Sequence, residues 1–167
     1  IASELDTDAR RAFDRIHEVD SIVIDPHKHG LQPYGCGCIL FRDSEVSGLY
    51  KHDSPYTYFS SDDLHLGEIS LECSRAGAAA VALWATQKML PMNPGGEFAQ
   101  SLDKCLLAAR ALWKQLDESD FYKCLMLPET DIVVYAANAD NVANSSRKAR
   151  EIFTHAAKQN LYLALIE

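Results

Sequence analysis

The stretch Asp25-Pro26-His27-Lys28-His29-Gly30 sets one lysine between two histidines, directly after the apolar run Ser21-Ile22-Val23-Ile24. An amine that is partly desolvated beside groups able to carry positive charge has its charged form disfavoured and becomes a better nucleophile toward carbonyls. That is the requirement for a lysine that forms a Schiff base. The competing reading is a surface lysine in a turn, since lysines are mostly exposed.

The flanking elements have to position this lysine. Ser21–Ile24 is rich in β-branched residues and reads as a buried strand, and Pro26 disfavours helix at the residue before it, so the chain turns at about Asp25. Gly30, Pro33, Gly35 and Gly37 keep the backbone irregular until Cys38-Ile39-Leu40-Phe41 resumes an apolar strand, which stops at Arg42-Asp43. Lys28 is therefore expected in a short connection between two buried strands. Upstream, apolar residues at 5, 9, 12, 13 and 16 predict a helix over 3–17 that covers the first strand.

Asp25-Pro26-His27-Lys28, followed by Pro33-Tyr34-Gly35-Cys36-Gly37 and the strand Ile39-Leu40-Phe41-Arg42, resembles the group II pyridoxal-phosphate-dependent amino acid decarboxylases. The similarity continues through Tyr50-Lys51-His52 and through Gly67-Glu68-Ile69-Ser70-Leu71-Glu72-Cys73-Ser74-Arg75 toward the end of the chain. The resemblance implies an α/β protein of fold type I, the aspartate aminotransferase-like pyridoxal phosphate enzymes. Residues 1–78 would form the end of the cofactor-binding large domain, and 79–167 most of the small C-terminal domain. Lys28 would then carry pyridoxal phosphate as an imine, with His27 contacting the cofactor phosphate or orienting the ring and Asp25 capping the same turn. The implied reaction is loss of carbon dioxide from an L-amino acid, with a lean toward aromatic substrates from Leu49-Tyr50-Lys51-His52. Sphingosine-phosphate lyase and its relatives carry similar His-Lys strands, so a different lyase of the same fold, acting on a phosphorylated amino alcohol, is an alternative. A non-catalytic truncated paralogue serving as a dimerisation partner is another.

From Asp43 to Glu68 the composition turns to Ser, Asp, Tyr, His and Pro without a clear period, as in segments that serve function or move. In the resembling family this region closes over substrate and carries a tyrosine that returns a proton to the substrate carbon. Tyr50 is the match, with Tyr56 and Tyr58 as rivals, and a phenol is a competent acid toward a carbanion. The alternative for each is simple packing; His52 and His65 read as solvated. Ser74 to Leu90 is small and apolar after its opening, which predicts a buried helix with Ser74 as N-cap and Pro91 just past its end. By resemblance, Arg75 at this helix start binds a carboxylate or phosphate; a structural arginine between domains is the competing view.

Asn93-Pro94-Gly95-Gly96 predicts a turn, and apolar residues at 98, 102, 105, 106, 109, 112, 113 and 116 predict a long helix. Strands are expected over 121–127, 131–136 and 161–166, with a helix over 145–159 between the last two. This is the order of a small α/β domain.

With 47% hydrophobic and 24% charged residues, the composition is that of an ordinary globular protein. No apolar run approaches the roughly 20 residues of a membrane span. A net charge of -8 without a basic stripe argues against nucleic acid. Five cysteines without a C-x-x-C pair suit a reduced, cytoplasmic protein. Cys36-Gly37-Cys38 lacks a second ligand pair, and no metal is expected. The chain opens at Ile1 without an initiator methionine and closes on the apolar run Leu161–Ile166, which reads as an internal piece of a longer enzyme. The resembling family would supply from elsewhere a ring to stack on the cofactor, an aspartate for its pyridine nitrogen and phosphate donors. Such enzymes are usually homodimers with active sites at the interface, so the piece alone is expected to be poorly soluble.

Overall fold

The computed structural model describes residues 5–51, 68 and 77–166. The chain divides into two compact units, Thr7–Met92 and Asn93–Glu167 with Ile1–Asp6.

In the unit Thr7–Met92, α1 (Thr7–Asp14) and a 3₁₀ turn (Ile16–Glu18) precede β1 (Ser21–Ile24) and β2 (Cys38–Phe41). A 3₁₀ stretch (Ser44–Tyr50) and α2 (Ala78–Met89) follow. The strands pair antiparallel, with Ser21 opposite Phe41, Ile22 opposite Leu40, Val23 opposite Ile39 and Ile24 opposite Cys38. Arg42 closes the ladder at its far end: its backbone N–H donates to Asp20 O at 2.9 Å, and its guanidinium binds Glu18 O and the Asp20 carboxylate.

Both strands fall where the sequence puts them, but they are not buried. Val23 is 70% exposed and Ile39 53%, on the same face of the ribbon, and Leu40 on the other face is 50% exposed. A two-stranded ribbon has two faces and covers neither by itself. The expected helix over 3–17 is shorter, and α1 buries none of its residues, so it does not cover β1. Its run ends where Arg15 leaves helical geometry and pairs with Glu18 through two guanidinium nitrogens.

The helix expected from Ser74 is observed from Ala78, with Gly77 as its N-cap; Ser74 and Arg75 lie outside the described residues. It ends as foreseen, with Leu90 N–H donating to Thr86 O at 2.7 Å and Pro91 next. It is not a buried helix, since Val81, Trp84 and Met89 are exposed. A helix so uniformly apolar has no stripe to select one packed side.

The second unit contains α3 (Glu97–Asp117), β3 (Tyr122–Cys124), β4 (Tyr135–Ala137) and α4 (Val142–Lys158). α3 packs against β3 and α4 against β4. Leu106, Ala109, Ala137 and Ala156 form the buried core, and the first two belong to the apolar face predicted for the long helix. β3 and β4 pair antiparallel, Lys123 opposite Ala136, with the rings of Tyr122 and Tyr135 edge to face at 5.5 Å.

Three strand expectations shift here. The run 121–127 is reduced to Tyr122–Cys124, and 131–136 to Tyr135–Ala137. One further bond, Leu125 N–H to Val134 O, extends the pairing, after which the chain reaches Pro128, which has no N–H to offer; its carbonyl instead accepts from Arg110 Nε. Leu161–Ile166 joins no ladder among the described residues. Its start is set by the end of α4, where Asn160 takes φ 60°, its N–H donates to Ala157 O, and Leu161 N–H donates to Ala156 O. That paired closure is a Schellman cap.

Candidate active site

The connection between β1 and β2 is ordered by its own backbone. Lys28 N–H donates to Asp25 O at 3.0 Å, Leu31 N–H to Lys28 O at 3.4 Å and Gln32 N–H to Pro26 O at 3.1 Å, so residues 25–32 coil back onto Pro26. Gly30 is required by close approach, since a Cβ there would stand 2.6 Å from Pro26 O and 2.7 Å from Pro26 Cα. Leu31 follows with φ 59°, a left-handed conformation uncommon for a branched side chain.

Lys28 projects from this coil with 67% of its side chain exposed, and its Nζ lies 2.9 Å from Asp25 Oδ2. The hydrogen bond and the charge of Asp25 hold the amine above the ordinary lysine range, outweighing slight desolvation. Reciprocally, Lys28 holds the Asp25 carboxyl below the usual carboxylate range. The expectation that desolvation would favour the neutral amine is therefore overturned for the chain as it stands. The turn leaves the amine in solvent and supplies a carboxylate rather than a second cation as its nearest partner. His27 stacks on Tyr34, ring centroids 5.0 Å apart and planes 26° from parallel, so the imidazole is braced across the connection.

Asp25, His27 and Lys28 are thus brought together on one turn. Tyr50 is not brought to them. It ends the 3₁₀ stretch that Asp43 caps by accepting from Glu45 N–H, and its ring rests 6.3 Å from Phe41. Phe41 pairs with Ser21, at the end of the ladder away from Lys28, about 10 Å of strand from Ile24. Arg75, Tyr56, Tyr58, His52 and His65 lie outside the described residues.

Sequence reasoning passed over Gln32. It is only 7% exposed, and its Nε2 donates to Gly30 O and Leu31 O, each at 3.2 Å, and to Thr86 Oγ1 in α2 at 2.8 Å. Cys36, also buried, directs its Sγ toward Ala79 O of the same helix at 3.8 Å. A glutamine between Leu31 and Pro33 in a polar connection carries no local sign of burial; its partner is 54 positions away.

The arrangement is an exposed amine, ion-paired to a carboxylate and held on an ordered turn. The same fold occurs in Oryza sativa TDC, solved with PLP and tryptamine, at a TM-score of 0.82 and 17% identity over 95% of this chain and 34% of that one. It occurs again in mouse CSAD in its apo form, at a TM-score of 0.72 and 20% identity over 93% of this chain and 34% of that one. At these identities the likeness concerns the fold alone, which is part of the fold type I architecture.

Residues 5–137 match the pyridoxal-dependent decarboxylase conserved domain, and the chain belongs to that family. Among its relatives are L-tyrosine decarboxylase of Enterococcus faecium, 33% identical over 70% of this chain, and a probable L-tyrosine/L-aspartate decarboxylase of Methanothermobacter thermautotrophicus, 34% identical over 72%. The aspartate 1-decarboxylase of Aliivibrio fischeri is 29% identical over 92% of the chain. The matched regions span 19%, 31% and 26% of these three relatives.

Proposed function

We propose that the whole protein decarboxylates an L-amino acid, aromatic substrates favoured, with pyridoxal 5'-phosphate held on Lys28. The observation that carries this reading is the Lys28 turn itself: an accessible amine, on a coil closed against Pro26, in a chain of the decarboxylase family. Relatives named for tyrosine, aromatic and aspartate decarboxylation support amino acids as the substrate class.

The residues present fit the cofactor in the chemistry they offer. Lys28 presents an exposed Nζ, and the neighbouring His27 imidazole stacks on the ring of Tyr34. When bound, pyridoxal phosphate supplies an electron sink for the pair released as the bond between Cα and the carboxylate breaks. Lys28 would hold the cofactor through its neutral amine, and in the chain as it stands Asp25 Oδ2, 2.9 Å from Nζ, favours the charged form instead. We assign His27 to orienting the ring or binding the phosphate, Arg75 to the substrate carboxylate, and the Tyr50 phenol to returning a proton to carbon. In this chain its ring lies beside Phe41, at the end of the ladder away from Lys28. We assign residues 1–78 to the end of the large domain and 79–167 to most of the small domain of a cytoplasmic homodimer. No helix among the described residues is long and apolar enough to cross a membrane.

A second reading, a non-catalytic dimerisation partner, draws on the Lys28–Asp25 pair, which keeps the amine charged. One experiment separates the two. The intact protein is purified with pyridoxal phosphate, reduced with borohydride, and the modified peptide mapped by mass spectrometry, followed by a carbon dioxide release screen over aromatic and acidic amino acids. Label on Lys28 that is absent in Lys28→Ala, with carbon dioxide release, supports the decarboxylase. A folded protein with no label would leave the binding partner.

A further inference from the structure

The connection that carries Lys28 is tied to α2 at two places. Gln32 reaches Thr86 and Cys36 reaches Ala79. Thr86 and Ala79 are two helical turns apart on one side of α2, a span of roughly 10 Å. Gln32 meets the helix near its C-terminal end and Cys36 near its N-terminal end, so the segment between them, which turns at Tyr34-Gly35, runs antiparallel to the helix. The Gln32 tie is the stronger of the two. All three of its partners are oxygens, and the two carbonyls can only accept, so the amide nitrogen must face them, one of its two hydrogens shared between the Gly30 and Leu31 carbonyls.

Those carbonyls belong to Gly30 and Leu31, the residues that immediately follow His27-Lys28-His29. The amide therefore holds the far side of the lysine's coil while Pro26 O holds the near side through Gln32 N–H. The coil needs both. Leu31 sits at φ 59°, a conformation that a leucine leaves readily once nothing opposes it. A leucine at position 32 would fill the same buried space but remove the donor that ties the Gly30 and Leu31 carbonyls and the Thr86 hydroxyl together.

We infer that Gln32 is a positioning residue for Lys28, fixing the lysine's turn on α2 through the amide bridge to Thr86. This rests on the reading of Lys28 as the cofactor lysine. It follows that α2 sets where the amine stands, although no residue of α2 adjoins the lysine in sequence.

The test uses the intact protein and four variants: Thr86→Val, which removes the hydroxyl; Thr86→Ser, which keeps it; Gln32→Leu; and the double variant Gln32→Leu with Thr86→Val. Two readouts are taken. One is the pyridoxal phosphate concentration that half-labels Lys28 after borohydride reduction; the other is amide hydrogen exchange over residues 28–32 without cofactor, with 82–86 of α2 as reference. Thr86→Val and Gln32→Leu are expected to weaken labelling of Lys28 by about five-fold, Thr86→Ser to stay within about two-fold, and the double variant to be no worse than Gln32→Leu alone. Exchange over 28–32 should speed up in the weakened variants while 82–86 stays protected. Labelling of Lys28 that is the same in wild type, Thr86→Val and Gln32→Leu overturns the positioning role. If wild type is not labelled on Lys28, the cofactor reading has failed and the positioning role with it. Exchange then still reports separately whether the bridge orders the turn.

Discussion

Lys28 Nζ meets Asp25 Oδ2 at 2.9 Å, one turn back along the same connection, and each holds the other in its charged form. Asp25 is shifted down, so its share of the pairing is present above the ordinary carboxylate value and is lost as pH falls through its folded value. Lys28 is shifted up, so its share is complete below the ordinary lysine value and is lost as pH rises through its folded value. The pair therefore persists across the neutral range between them. Asp25→Asn should lower the Lys28 value toward that of a free lysine and speed its reductive methylation at mildly alkaline pH, with Lys104 and Lys114 unchanged. Site-resolved mass spectrometry against pH measures this. Added salt should narrow the difference between wild type and variant, because both groups face solvent.

Gly30→Ala should destabilise the unit Thr7–Met92 by about 1–3 kcal/mol, because the new methyl group meets backbone atoms of Pro26 that cannot swing aside. Gly37→Ala, where nothing lies within 4 Å of the added carbon, is the control and should be near neutral. Urea denaturation followed by circular dichroism distinguishes the two.

Leu106 is 4% exposed on α3 while its neighbour Leu107 is 65% exposed. Leu106→Ala should cost about 2–4 kcal/mol and Leu107→Ala under about 1 kcal/mol, measured by the same denaturation. Equal costs would mean that the face of α3 is misassigned.

Both ends of α4 are capped by asparagine. Asn141 Oδ1 accepts from Asn144 N–H at 2.9 Å, and Asn141→Ala should cost about 1 kcal/mol. Asn160 occupies the left-handed position of the closing cap, so Asn160→Val should cost about 1 kcal/mol or more while Asn160→Gly should not. Thermal unfolding of the two variants side by side reads the difference.

Several element boundaries were legible because their signals are local. Short apolar runs, β-branched in the first, marked Ser21–Ile24 and Cys38–Phe41, apolar periodicity marked Glu97–Asp117, and Pro91 marked the end of α2. The fold class and family were legible from one motif and its spacing, Asp25-Pro26-His27-Lys28 before Pro33-Tyr34-Gly35. The short strands of the second unit were not. Ile132 and Val133 have strand character, yet pairing needs a partner of matching length, and that partner turns away before Pro128.

Lys28 and its two immediate companions on the turn were set by covalent order, as were the glycine and prolines that bend the chain around them. The protonation bias of the amine was decided in three dimensions. The coil turns Asp25 onto Nζ and leaves both in water, so ion pairing outweighs the desolvation that residue types alone suggested. The anchoring of that coil was also decided there. Gln32 is polar and lies in a loop, and only the fold brings Thr86 to it across 54 positions, burying an amide whose hydrogen-bond partners no local pattern could name.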